Sequence, residues 1–299
     1  GRIQPWMIQT LDNGLTIGLV GLLGEEAYDV APAAPPVIWS PAEEAAAEAV
    51  AEFEAAGVDL IVAITHIGVR ENPASSPDHL LAEAVPQIDV IVGGHSHTAL
   101  PTPMTSSTGT VILQAGAYTR YLGELTLARD PGGAWEVEAY DLHEIDDTIS
   151  GDGDVIDMID GFSDALDSDV LAGLGYGFSE PVASITGDVV VLACEESGLG
   201  NYITDSYRYS MNQVDPEHPV DVAFESQGVM RDDFIAGASG IQAFSDAYRV
   251  LPLGEGFDGR PGYPMVSFYV TGQELSAACE VTASVAPIYG CTYFIEHSG

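Results

Sequence analysis

The stretch that most limits the folds open to this chain is Val90 to Thr98, Val-Ile-Val-Gly-Gly-His-Ser-His-Thr. Its three β-branched residues specify a short buried strand, the glycine pair lets the backbone turn without a Cβ penalty, and two histidines follow at the strand mouth. An extended or turned backbone sends alternate residues to the same side, so the imidazoles of His95 and His97 are expected to face one site. Asp59 to His66, Asp-Leu-Ile-Val-Ala-Ile-Thr-His, repeats the plan. Two buried strands that each end in histidine predict a metal site at the carboxyl edge of a sheet, where open α/β sheets place ligands. Neutral imidazoles suit zinc, manganese, iron or nickel, and His66, His95 and His97 would make one tetrahedral site with water in the fourth position. No carboxylate stands in a comparable strand-exit motif.

Around these strands the sequence alternates helix and strand. Asp12-Asn13-Gly14 followed by alternating Leu15, Ile17 and Leu19 predicts an opening hairpin. Pro-rich Ala31 to Pro36 reads as a loop. Ser40 as N-cap, Pro41 at the first helical position and Glu43 start an Ala/Glu-rich helix that Gly57 stops. Ser76-Pro77-Asp78 opens a second helix to about Val85, directly before the strand that carries Gly93-Gly94. Such alternation argues for an α/β layer with parallel neighbours. Further strands are expected at Thr110–Gln114, Tyr121–Ala128 and Trp135–Leu142. Between Asp146 and Asp169 an amphipathic pattern (Val155, Ile156, Met158, Ile159, Phe162, Leu166) predicts a connecting helix. Its Asp152-Gly153-Asp154 lacks the spacing of a calcium loop and reads as a solvated helix start. After Pro181 come expected strands at Val189–Leu192, Val220–Phe224 and Val266–Val270, a helix at Ser197–Met211, and a capping box at Thr271-Gly272-Gln273-Glu274.

Charge narrows the function. Of 299 residues 46 are acidic and eight basic, every basic one arginine, for a formal net charge of -38. Such a surface repels nucleic-acid polymers and anionic membranes. It fits a saline or extracellular setting, where ions screen self-repulsion, and equally an acidic surface kept for solubility. No apolar run reaches the roughly 20 residues that span a bilayer. Cys194, Cys279 and Cys291 are too few for a disulfide scaffold and read as unpaired buried thiols, with a Cys279–Cys291 bridge as the alternative.

Taken together, Ile-Thr-His66, Gly-Gly-His95-Ser-His97-Thr, Glu196-Ser197-Gly198-Leu199-Gly200-Asn201, Gln227-Gly228-Val229-Met230-Arg231, Val250-Leu251-Pro252-Leu253-Gly254 and Val270-Thr271-Gly272 resemble the 5'-nucleotidase family, in order and over nearly the whole chain. The resemblance implies a fold: a partial calcineurin-like metallophosphatase α/β sandwich, joined by a linker helix to an α/β (α+β) C-terminal domain. The corresponding boundaries are residues 1–145 for the second half of the metallophosphatase domain, 146–181 for the linker, and 182–299 for an incomplete substrate-binding domain. It also implies metal-dependent hydrolysis of phosphate esters, nucleotides or 2',3'-cyclic nucleotides foremost, and a secreted or periplasmic location. Two divalent ions, zinc, manganese or similar, would activate a bridging hydroxide. His66 and His95 correspond to ligands of one ion and His97 to a ligand of the other. Arg231 matches the substrate-binding arginine, with Gly228, Ser226 and Leu253 in its neighbourhood. A guanidinium beside a glycine turn suits an anionic or hydroxylated small molecule.

Departures accompany the likeness. The family's Asp-x-His strand, bridging aspartate and Gly-Asn-His-Asp/Glu motif do not precede His66, so no residue here corresponds to the catalytic histidine. The chain is therefore expected to lack parts at both ends and to turn over little by itself. Leu253 stands where the family has phenylalanine, Ser226 where it has asparagine and Ala193 where it has arginine, which weakens the case for a stacked nucleobase. A non-catalytic protein that holds a metal or an anion is the alternative. His79, His143, His218 and His297 read as surface or capping residues, and Tyr118 as structural.

Overall fold

A computed structural model describes residues 4–31, 34, 36–146, 148–192, 195–252, 254, 256, 259, 262–285 and 295–298. The chain divides into two compact units, Gly1–Ile149 and Ser150–Gly299.

The first unit opens with β1 (Trp6–Thr10) and β2 (Thr16–Leu23), an antiparallel hairpin pairing Trp6 with Val20 and Thr10 with Thr16. Asp12-Asn13-Gly14 makes the turn: Gly14 takes φ 85° and Asn13 Oδ1 accepts from the Leu15 N–H. A short α1 (Glu25–Asp29) leaves the end of β2 without a periodic signal to announce it. In α2 (Ala42–Ala56) the C-terminus is capped by left-handed Gly57, as expected. Its N-cap is Pro41 and not Ser40, because Pro41 is still extended at ψ 132°, and no side chain caps the helix.

Then follow β3 (Leu60–His66), a 3-10 turn at Pro73–Ser75, α3 (Pro77–Ala84), β4 (Val90–Val92), β5 (Met104–Thr105) and β6 (Val111–Leu113). The sheet order is β1-β2-β3-β4-β6-β5. The inner strands β2, β3, β4 and β6 are parallel, with Leu23 opposite His66, Val62 opposite Val90 and Val92 opposite Leu113. Parallel neighbours need crossovers: α2 lies in the one from β2 to β3 and α3 in the one from β3 to β4, while β4 reaches β6 through the segment that holds β5. Carboxylates fix where the strands enter. Asp59 Oδ2 accepts from the Thr16 N–H and hydroxyl at 2.9 and 2.7 Å, which holds its carboxyl below the usual range. Asp89 Oδ2 accepts from the Ile61 N–H at 2.7 Å.

On one face of the sheet, Ala46, Ala49, Val50 and Phe53 of α2 and Leu81 and Ala82 of α3 close over Val20, Ala63, Ile91 and Ile112. Gly18 makes this possible: a Cβ there would lie 2.7 Å from the Phe53 ring. On the other face an antiparallel ribbon of β7 (Tyr121–Arg129) and β8 (Trp135–Glu144) packs Leu125, Leu127, Trp135 and Tyr140 against Leu60, Val90, Val111 and Leu113.

In the second unit, α4 (Gly153–Leu166) starts at Asp152, whose carboxylate accepts from the N–H groups of Asp154 and Val155, and a π-turn at Asp167–Leu171 leads into the short α5 (Ala172–Leu174). β9 (Pro181–Ser184) pairs antiparallel with β11 (Ile241–Ala243), and β10 (Ala223–Ser226) with β12 (Ile295–Ser298). Helix α6 (Gly198–Val214) is N-capped by Ser197, which accepts from the Gly200 N–H; α7 spans Phe244–Val250 and α8 Gly272–Val285. Leu199, Ile203, Met230 and Val250 form the core. Two expected strands do not form among the described residues. Val189–Leu192 makes only the bridge between Val189 and Phe234, and Val266–Val270 has no strand partner there. β-branched composition marks a segment that suits a strand; a ladder also needs a neighbouring backbone. Cys279 is exposed, not buried, and Cys194 and Cys291 lie outside the described residues.

Truncating Phe53, which is fully buried against Gly18, is expected to lower stability by about 3 to 5 kcal/mol. Urea unfolding of Phe53→Ala measures this, and a loss of less than about 1 kcal/mol would mean that α2 does not close the sheet as described.

Candidate functional site

Parallel pairing brings several strand exits to one edge. β3 delivers His66, β4 runs through Gly93 and Gly94 to His95 and His97, and β2 leads into Glu26 of α1. The imidazoles of His66 and His95 meet edge to face, with ring centroids 5.1 Å apart. Gly94 is the reason they fit, since a Cβ there would come within 3.2 Å of His66 Nδ1. Gly93 has the same role one residue earlier, where a Cβ would lie 2.7 Å from Asp78 Oδ2. The glycine pair thus serves close approach. Left-handed backbone falls instead on the histidines, at φ 74° for His95 and 54° for His97. Non-glycine residues in that region are uncommon and tend to mark functional or strained sites.

His97 departs from the expectation of a three-histidine cluster. Its ring lies 5.3 Å from that of Tyr118, in an edge contact, and no group of three His, Cys, Asp or Glu side chains is gathered for a metal among the described residues. The two left-handed residues break the simple alternation from which a shared face was expected. Tyr118, read as structural from the sequence, is part of this edge and itself adopts φ 57°. Glu26 Oε2 stands 3.9 Å from His95 Nε2 and forms an exposed ion pair with Arg70 Nη2 at 3.5 Å, a neighbour that sequence reasoning missed because α1 carries no motif.

Beneath the histidines lie two buried polar side chains. Asp78, at the start of α3, accepts from the Thr65 hydroxyl at 2.8 Å and the Gly68 N–H at 3.2 Å, both beside His66 in the chain. Burial pushes its carboxyl up to about 6, against the opposing effect of those two bonds. Gln114 follows β6. It accepts from the Ser96 hydroxyl at 2.9 Å and the Thr98 N–H, and donates to the Gly94 carbonyl at 2.8 Å. Ser96 Oγ also accepts from the Val69 N–H at 3.0 Å. A glutamine closing an apolar strand was the only sequence signal for it. Of the remaining histidines, His143 pairs with Glu124 at 2.8 Å and His218 with Asp215 at 3.1 Å on the surface, whereas the His79 side chain is only 15% exposed.

In the second unit, β10 ends at Ser226, whose hydroxyl accepts from the Gly228 N–H at 3.3 Å as the chain enters a 3-10 turn over Gln227–Val229. Met230 turns into the core and Arg231 outward, its backbone N–H bonded to the Val250 carbonyl at 2.8 Å. Arg231 is exposed and in no ion pair among the described residues, unlike Arg249, which binds the buried Asp232 at 2.7 Å. Among the described residues a Cβ on Gly228 would meet only Ser226 Oγ, at 3.6 Å. Leu253 lies outside the described residues.

Comparison with known proteins follows the same lines. No family model matches the chain. It is 26% identical over 208 residues to the trifunctional nucleotide phosphoesterase protein YfkN of Bacillus subtilis, covering 68% of this chain and 14% of that protein. It is 26% identical over 311 residues to a 5'-nucleotidase-related protein of Glossina morsitans morsitans, covering 95% of this chain and 51% of that one. The crystal structure of a 5'-nucleotidase precursor from Thermus thermophilus superposes on 99% of the chain, and on 56% of its own, with a TM-score of 0.67 and 24% identity. The class is therefore a mixed α/β fold shared with that 5'-nucleotidase precursor, with a parallel sheet in its first unit. Within that class the relatives support the 5'-nucleotidase family, which the motifs at His66, His95 and Arg231 resemble. The chain spans no more than about half the length of these two relatives.

The raised carboxyl of Asp78 sets a sign. The folded chain holds this proton more tightly than the unfolded chain, so the associated stability is full below the unfolded value of 3.8 and is lost as pH rises through about 6. Between pH 7.5 and 5 the wild type should therefore gain roughly 1 kcal/mol relative to Asp78→Asn. Urea unfolding of both across that range checks it, and a pH-independent difference would rule the buried carboxyl out.

Proposed function

We propose that this chain is part of a metal-dependent enzyme that hydrolyses phosphate esters of nucleotides or closely related compounds. The observation that carries the reading is the pair His66 and His95, edge to face at 5.1 Å on the carboxyl edge of a parallel sheet, with left-handed backbone at His95. Two imidazole nitrogens fit part of the ligand set of a borderline divalent ion such as zinc or manganese, and the absent Cβ of Gly94 keeps His66 Nδ1 unobstructed. When bound, such an ion supplies Lewis-acid charge to the phosphoryl oxygens. His66 and His95 would hold it; His97, turned toward Tyr118, is the candidate ligand of a second ion. The relatives' names, a nucleotide phosphoesterase and a 5'-nucleotidase-related protein, support the substrate class.

Residues 1–145 then form the metal-binding part, 146–181 the connection and 182–299 the substrate-binding part. Arg231, exposed beside a glycine turn and in no ion pair among the described residues, is the group that grips an anionic or hydroxylated portion of a small substrate; Gly228 and Ser226 shape the turn. On the family pattern Leu253, outside the described residues, is the remaining substrate-binding position. The acidic composition supports a secreted or periplasmic setting. No helix among the described residues is long and apolar enough to cross a membrane.

Titration of the chain with manganese or zinc should show a bound ion that His66→Ala and His95→Ala each lose, and retention of the ion by both variants would sink the histidine assignment. Phosphate release from 5'-nucleotides and 2',3'-cyclic nucleotides, little from this chain by itself, should in the whole protein require the ion and stop with chelator. Ion binding without any turnover by the whole protein would favour the non-catalytic alternative. Arg231→Ala is expected to weaken small phosphoesters by roughly 10-fold or more, as loss of a charge-assisted contact does. Unchanged affinity would remove Arg231 from the ligand site.

A further inference from the structure

Gln114 is almost wholly buried, at 1% exposure, in the strand line that continues β6, a position where an apolar side chain would fill the space without desolvating an amide. Its amide is used at both ends. The oxygen takes the Ser96 hydroxyl and the Thr98 N–H, while the nitrogen gives its hydrogen to the Gly94 carbonyl. These three partners bracket His95 and His97 along the chain. Ser96 extends the connection, because the oxygen that donates to Gln114 also accepts from the Val69 N–H in the loop after His66. One side chain therefore ties both histidine-bearing loops to the floor of the sheet. Backbone bonds from Gly93 N–H to Leu113, Leu100 N–H to Gln114 and Gly116 N–H to Thr98 frame it on either side. The loop so clamped includes two residues at positive φ, a conformation that persists only where the surroundings over-determine it.

We propose that Gln114 is a positioning residue for the metal-binding loop, holding His95 in the left-handed conformation that brings its ring against His66. The inference rests on the metal reading of those histidines. An amide suits the task because it presents an acceptor and a donor from one rigid plane. Glutamate would set a second oxygen against the Gly94 carbonyl, and methionine of similar length would leave all three loop partners without their bond. Groups behind metal ligands commonly change affinity by 10- to 100-fold when removed.

Manganese(II) is the probe, since the spectrum of the free ion in electron paramagnetic resonance reports binding directly. Gln114→Met should weaken manganese binding about 10-fold or more. Thr110→Val serves as the matched control: it removes another buried bond in the same region, from the Thr110 hydroxyl to the Ile88 carbonyl at 2.8 Å, away from the histidine loops. It should lose comparable stability in urea and keep the wild-type affinity. Equal affinity in Gln114→Met and wild type overturns the inference, as does an equal loss in Thr110→Val, which would reduce the effect to stability. Should Gln114→Met fail to fold, Ser96→Ala decides, with weaker binding in support and unchanged binding against. A wild-type chain that binds no manganese overturns the metal reading and this inference together, whereas wild-type binding with an indifferent Gln114 overturns the inference alone.

Discussion

Parallel pairing of the inner strands is the constraint on which the rest of the first unit depends. Because β2, β3, β4 and β6 run the same way, each ends at the same edge, and that edge collects Glu26, His66, His95 and Gln114 from four distant parts of the chain. An antiparallel pair would have sent half of them to the opposite edge. The pairing is held from both faces, by α2 and α3 over Ala63, Ile91 and Ile112 and by the β7–β8 ribbon over Leu60, Val90 and Val111. A sheet buried on both faces reads as continuous apolar runs, as these strands do.

Close approach dominates the chemistry of that edge. Gly93 passes Asp78, Gly94 passes His66, and Gly68 passes Ser96 at distances where a Cβ would press on a functional or hydrogen-bonding group. Positive φ falls on His95 and His97 instead, in the loop that the buried hydrogen bonds of Gln114 hold, while those of Asp78 hold the chain on either side of His66. Buried polar groups of this kind are costly unless every partner is in place, so the same bonds that hold the loops also make their geometry unforgiving.

Electrostatics distinguishes the arginines of the second unit. With eight basic residues against 46 acidic ones, an arginine without a carboxylate beside it is the exception. Arg249 follows the rule on Asp232 and Asp246, Arg208 on Asp205; Arg231 does not, among the described residues. That difference in pairing is what sets Arg231 apart as the anion-binding candidate proposed above.

Much of this was legible in the sequence because it depends on local rules. The Asp12-Asn13-Gly14 turn, the Gly57 stop, the helix starts at Asp152 and near Ser197 and the apolar strands ending in His66 and before Gly93 are all written within a few residues of where they act. The strand expected at Val189–Leu192 failed for want of a partner backbone, and Ser40 lost its capping role to the extended Pro41. What the sequence by itself determined was the alternation of helix and strand in the first unit, the parallel pairing it requires and the residues at the strand exits. Tertiary structure alone decided that His66 meets His95 while His97 meets Tyr118, and that Asp78 and Gln114 stand beneath them. Those relations depend on left-handed backbone angles and on register between strands far apart in the chain, and neither is encoded in the spacing of residue types.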